Sequence, residues 1–491
     1  MLRDYLVLQL TAQEGGLQTS GVALNLGGGQ HCLLFAKLQV LLSDGDGLRI
    51  ALQWMGQACM KPCFRHRNVF RKGSDMCSTR DDYVEITCGE PAMMSLWREG
   101  DFRDAIDFIV DARTRRFNRE ITAAQLKRIE KTFGFKATAD GLLSSSILRP
   151  LTVFQDVLRY DWVHTLLQDG LVTNEAWLLI SGAENVGVAT QQQLHDFLKE
   201  DWIVPMHRRH KGRSLQRIFD EYGSHANKKH AKLKCSASEL ISLYPLLRHF
   251  VEARLPEDHG LGGKIESFRL ACSAVDIILL AKRGDVSMPQ ASHMLRNCLK
   301  KYMVAHVAEY GHGHIKPKTH WAFDICDQLA QDAWLFDAFV IERLHLRVKS
   351  IADNVKDTSK FESSVLSGVL NSHVRRAAES LPGCGLLGRT ISPPGEPEIL
   401  LSDKVELSGK IFAVGDCVRR GEELGSVVAC CSNCHDLFVF VDTWTQVSQV
   451  SPHSSRWEKS GSRRACWRAA DVQECVCWQC HSDSSLTLIL M

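Results

Sequence analysis

From about residue 93 to residue 382 the chain repeats apolar side chains at three- and four-residue spacing, and after Pro393-Pro394-Gly395 that period stops. A spacing of 3.6 places such residues on one side of a helix, so ten helices are expected. They span 102–112, 122–133, 152–168, 191–200, 238–253, 265–281, 288–307, 321–331, 334–354 and 361–378. Beyond the proline pair the apolar runs are short and strand-like: GKIFAVGD, GSVVACC, DLFVFVDTW and SLTLILM. Upstream, GVALNL and Cys32–Leu42 read as strands around the turn GGGQ, and the run from Asp46 reads as a helix ending at Gly56. A chain so patterned is α/β with a large all-α insertion. The expected divisions are 1–92, a helical domain at 93–330, two further helices at 331–382, a linker at 383–399 and a β-rich domain at 400–491.

Charge excludes a global affinity for polyanions. Lys and Arg total 59 against 57 Asp and Glu, a net of +2. The basic side chains are not evenly spread. Residues 207–234 hold nine of them, Arg208, Arg209, Lys211, Arg213, Arg217, Lys228, Lys229, Lys232 and Lys234, against Asp220 and Glu221. That local excess suits contact with a phosphate backbone, and equally a solvated face or an import signal. No run of apolar residues is long enough to span a bilayer, and Arg3 and Asp4 interrupt the first ten residues, so neither a transmembrane segment nor a signal peptide is expected. The 18 cysteines are scattered, which points to reduced thiols and metal sites rather than a disulfide framework.

Four clusters carry chemistry. Asp44 follows a strand and precedes a helix, where a metal-binding carboxylate or a helix cap would sit; Asp46 is an equally good cap. Asp161-x2-His164 would put a carboxylate and an imidazole on one helix face. Glu342 is flanked at helical spacing by His345 and Lys349, beside an apolar stripe. Cys63-x2-His66 is half of a tetrahedral zinc site, with Cys59, Cys77 or Cys88 to complete it. Cys477-x2-Cys480-His481 has ligand spacing in a strand context; His312, His314 and His320 around GHGHIKPKTH are three candidate metal ligands, with a flexible loop the favoured reading.

In order, strand–Asp44–helix, KPC-x2-H (Lys61, Pro62, Cys63, His66), Asp161-x2-His164, KPKTH (Lys316–His320) and ERLHLRVK resemble the DDE/D transposases of CACTA-like DNA elements, over roughly residues 20–380. The resemblance implies a partial RNase-H-like core interrupted by a helical domain. Asp44 would be the second catalytic acid, Asp161 and His164 the string of the insertion, and Glu342 the third acid, with carboxylates close enough to share Mg²⁺. It departs from the family in two places. The knuckle carries His66 where a second cysteine is usual, and 43 residues precede Asp44, with Asp4 the sole carboxylate before Glu14. The expected protein is therefore a nuclear, transposase-derived, DNA-associated one of weak or absent catalysis, with structural zinc and with DNA or a second copy as partners. An active Mg²⁺-dependent transposase or nuclease is one rival; a helical interaction scaffold is another. The β-rich end resembles an SH3-like barrel, through its Gly-Asp-x-Val turn at Gly415–Val418.

Overall fold

The computed structural model describes residues 2–12, 16–27, 30–43, 45–200, 202–203, 212–255, 260–337, 348–355, 360–379, 384–393, 395, 399–407, 410–433, 436–451, 453–474, 477–482 and 485–489. The chain is mixed α/β with a curled half-barrel sheet. It divides into two compact units of two segments each: Met1–Leu171 with Ser273–Phe339, and Val172–Cys272 with Val340–Met491.

The first unit opens with a helix, Leu2–Thr11, followed by an antiparallel hairpin, β1 (Val22–Gly27) and β2 (Gln30–Leu34). Then come β3 (Leu41–Ser43) and α1 (Gly45–Ala51). Two antiparallel-facing helices follow in sequence, α2 (Glu99–Phe117) and α3 (Ala123–Phe133), linked by Arg113 and Glu130 at 2.5 Å. Thr122 and Gln125 close a capping box at the start of α3, and Gly134 ends it in the left-handed region.

The helix expected over 152–168 is broken. Leu158–Tyr160 is a strand, β4, pairing in parallel with β3, and α4 (Trp162–Leu166) starts after it. The break has a local cause. The Asp161 carboxylate accepts from the backbone N–H groups of Val163 and His164, both at 3.1 Å, and so starts a new helix inside an apolar run that reads as continuous. The chain turns out of α4 where a Cβ on Gly170 would lie 2.3 Å from the Thr165 carbonyl oxygen, so the turn admits glycine alone.

The unit closes with two long helices, α5 (Met288–Tyr310) and α6 (Pro317–Asp332). The KPKTH string is not a loop: Pro317 occupies the first position of α6, where its fixed φ and missing N–H cost nothing. One face of α6 grips β4. Trp321 stacks on Tyr160 at 4.6 Å. The Gln328 side chain accepts from Tyr160 N–H at 3.1 Å and donates to its carbonyl at 3.2 Å. Asp332 takes a two-pronged pair from Arg159 at 2.6 and 2.8 Å.

In the second unit the strand runs expected beyond residue 396 are present, and they build a nine-stranded sheet. Its order is Gln473–Glu474, Cys417–Arg420, Glu423–Ser432, Leu437–Ser451, Ser454–Arg468, Ser485–Ile489, Cys477–Ser482 and Trp202–Ile203, with Leu400–Ser402 added beside Glu423–Ser432. Val427, Val439, Val441 and Trp467 of this sheet form one core with Val405 and Phe412 of a separate three-stranded sheet, Cys384–Leu387, Lys404–Leu407 and Lys410–Ala413. A bulge between Val427 and Ala429 turns both Val427 and Cys430 inward, which strict alternation would forbid. A Cβ on Gly425 would meet the Val441 side chain at 2.6 Å, so glycine is what lets the two strands sit this close here.

The helix Ala237–Arg254 of this unit carries buried His249, whose Nδ1 lies 2.9 Å from Ser454 Oγ. Burial, helped by Arg254 and His481, lowers its pKa to about 4. The unfolded chain therefore binds a proton that the fold excludes between pH 6.5 and about 4. Stability of this unit falls as pH drops through that window, by up to about 3 kcal/mol for this group. Urea unfolding at pH 7 and pH 4.5 should show the loss in the parent and a smaller one in His249→Gln.

Candidate metal centre

The site begins in an irregular segment between α1 and the short strand Val69–Phe70. Lys61 shapes it. Its buried amine donates to the carbonyls of His66, at 3.3 Å, and Arg67, and lies over the rings of Phe70 and Trp97. Burial lowers the Lys61 pKa to about 7. The Trp54 indole donates to the Lys61 carbonyl at 3.1 Å. Held in this way, the segment turns the side chains of Cys63 and His66 inward. Phe64 packs at 4.8 Å on Tyr160, whose hydroxyl lies 3.4 Å from Cys63 Sγ.

The other half comes from α6. His320 and Asp324 are one turn apart, so they share a face, and it is not the one that grips β4. Cys63, His66, His320 and Asp324 form a group that can hold a metal ion, each offering one donor atom, all within 4.8 Å of one another. Cys63 Sγ is 3.3 Å from His66 Nδ1, and His66 Nδ1 is 3.2 Å from His320 Nε2. In a tetrahedral zinc site the N···N edge is about 3.4 Å and the N···S edge about 3.6 Å, given the usual bond lengths. Two edges of the group are thus near ligating separation already.

Its electrostatics favour a cation. The four side chains sit on residues only 1, 8, 4 and 2% exposed. Burial holds both imidazoles neutral, with pKa values lowered to about 3, and neutral imidazole is the ligating form. Burial raises the Cys63 thiol to about 12 and also raises the Asp324 carboxyl. Neither oxygen of Asp324 has a hydrogen-bond donor, nor has His320 Nδ1 a partner. The nearest cation, the Arg65 Nε, stands 3.5 Å from Asp324 Oδ1, beyond a good hydrogen bond. A divalent ion supplies what such a group lacks: charge for the carboxylate and acidity for the thiol. One sulfur, two nitrogens and one oxygen are donors compatible with zinc.

The structure joins Cys63 and His66 to α6, not to the cysteines nearby. Cys59 donates its thiol proton to the Lys61 carbonyl at 2.8 Å, and burial raises its pKa to about 11. Cys88 approaches the Glu90 carbonyl, and Cys77 lies in a short 3-10 turn, Asp75–Ser78. None of the three belongs to the group. Asp161 and His164 do pair, but as a helix cap and its neighbour three positions on, with the carboxylate committed to backbone N–H groups. His312 contacts the Thr87 carbonyl at 3.2 Å. Asp44, Glu342, Arg208, Arg209 and Lys211 lie outside the described residues. Arg213 is in the helix Gly212–Arg217, its side chain undescribed; Arg217, Lys228 and Lys229 are exposed, the last two at the end of the helix Glu221–His230.

Asp324 has no counterpart among the residues singled out from the sequence, and His320, a candidate ligand there, reads from the sequence as part of a loop. Their signal was the proline that starts α6 and a His-x3-Asp spacing on the helix it starts. No described helix is long and apolar enough to cross a membrane. No protein-family model, curated protein or solved structure matches the chain.

Proposed function

We propose that this is a transposase-derived, DNA-associated protein in which one zinc ion, held by Cys63, His66, His320 and Asp324, ties the amino-terminal segment of the fold to the far end of its helical insertion. The observation that carries the reading is convergence. KPC-x2-H and KPKTH, two of the strings on which the resemblance rests, are 254 residues apart between their histidines and meet in one buried donor group. A second feature supports it. Ser43 and Tyr160 are in register on adjacent parallel strands, and the next residues in the sequence are Asp44 and Asp161. On this reading β3 is a strand of an RNase-H-like core, β4 extends its sheet from within the insertion, and the half-barrel sheet is the SH3-like element. The zinc ion holds the two segments of the fold together, and Mg²⁺ is required only if Asp44 and Glu342 retain catalysis.

Two measurements test it. Elemental analysis of the purified protein should give about one equivalent of zinc, and less than about half would leave free thiols as the better account. Binding to duplex DNA should weaken with salt at a log–log slope of about −4, if half of the nine basic side chains touch phosphates. The quadruple replacement of Arg208, Arg209, Lys211 and Arg213 by Ala should flatten that slope for every sequence alike. A quadruple variant that binds as the parent does would remove the segment from the interface. Strand-transfer assays with Asp44→Asn and Glu342→Gln separate residual catalysis from none.

A further inference from the structure

The metal group is sealed on one side and open on the other. Cys63 lies behind, while His66, His320 and Asp324 form part of the wall of a cavity of about 870 Å³. That is the size of a site for a small organic ligand, larger than a few waters need. The rest of the wall is chiefly apolar, with Met94, Leu96, Met303, Val304, Val307 and Phe323. Val304 is 73% exposed and Leu96 50%, an unusual outlay of apolar surface beside a buried polar group. Two cations stand on α5 one turn apart, Arg296 and Lys300. Arg296 is taken up by Asp327, whereas Lys300 is exposed and has no ion-pair partner among the described residues. Both oxygens of Asp324, which lies on the cavity wall, lack hydrogen-bond donors.

We propose that the zinc centre is a ligand site, and that the cavity binds an amphipathic monocarboxylate, its head on the metal beside Asp324 and its hydrocarbon body along the α5 wall. The inference rests on the zinc reading above and deepens it. Cys63, His66 and His320 hold the ion, and the fourth position is shared between Asp324 and the incoming carboxylate. The metal and Lys300 together favour an anionic head over a neutral one, against the opposing charge of exposed Glu90 on the same wall. The apolar wall favours a chain of several methylenes over a bare anion, since each buried methylene adds to affinity.

Cobalt(II) in place of zinc makes the site visible, because its visible bands respond to a change of ligand. Octanoate should shift the bands of the cobalt-loaded full chain, and should bind at least about tenfold more tightly than acetate. Val304→Asp, a change at an exposed position that puts a negative charge on the cavity wall, should weaken octanoate about tenfold and leave one equivalent of cobalt in place. Met303→Trp, which fills the cavity from within, should do the same. Bands unmoved by octanoate would overturn the proposal, as would equal binding of acetate and octanoate, or Val304→Asp behaving as the parent. A chain that takes up no cobalt overturns the zinc reading and this one with it. One equivalent of cobalt with silent bands overturns this one alone.

Discussion

Cys63→Ser should be purified with less than about a fifth of an equivalent of zinc, and should melt roughly 10 °C below the parent. The size follows from what remains. Without the thiolate the ion loses its strongest charge partner, and two imidazoles and a carboxylate stay buried around an empty space. A loss of about 3–5 kcal/mol in a unit of this size corresponds to that shift in melting temperature. His320→Ala should behave alike, since it removes the only ring nitrogen within hydrogen-bond distance of His66 Nδ1 contributed by α6. Chelation of the parent should reproduce the drop, and chelation of Cys63→Ser should add little to it. Cys59→Ser is the control. Its thiol meets a carbonyl outside the group, so its zinc content should match the parent's. Equal zinc in Cys63→Ser and the parent would exclude the site.

The second large effect is expected at the other face of α6. Arg159→Ala should destabilise the first unit by about 3–5 kcal/mol, because it leaves the Asp332 carboxylate without the guanidinium that now meets both of its oxygens. The Arg159 side chain is 2% exposed and that of Asp332 11%, so bulk water replaces the lost guanidinium poorly. Asp332→Ala leaves the inverse problem, a buried guanidinium. The double variant should be much less damaged than the sum of the two single ones, and denaturant midpoints of all four proteins measure the coupling. Strict additivity would mean that the pair does not hold α6 to β4. A weaker zinc affinity in Arg159→Ala is also expected, since His320 and Asp324 ride on the same helix.

Legibility followed the range of the interactions. The helices near 102–112, 122–133 and 288–307 write their period into neighbouring residues, and the structure has helices there. The same holds for the strand runs beyond residue 396. The helix expected at 152–168 failed because its apolar positions serve a strand and then a second helix, with Asp161 as the divider. Apolar spacing alone does not distinguish these. At the metal group Cys63 and His66 announced themselves by spacing, three residues apart. Their partners did not, because nothing in the chain near Cys63 encodes which distant helix face will pack against it. The cysteines closest in sequence were the natural completion, and it is the packing of Trp321 on Tyr160 that brings His320 instead.

The hold of Gln328 on Tyr160 has a consequence for how this protein meets copies of itself. One side-chain amide, by matching both the N–H and the carbonyl of Tyr160, occupies the positions that a neighbouring strand would use. It acts as a terminator: a β-edge that would otherwise template aggregation is closed there at the cost of a single glutamine. Growth of this small parallel sheet past Tyr160 is thereby blocked at the level of one residue's backbone.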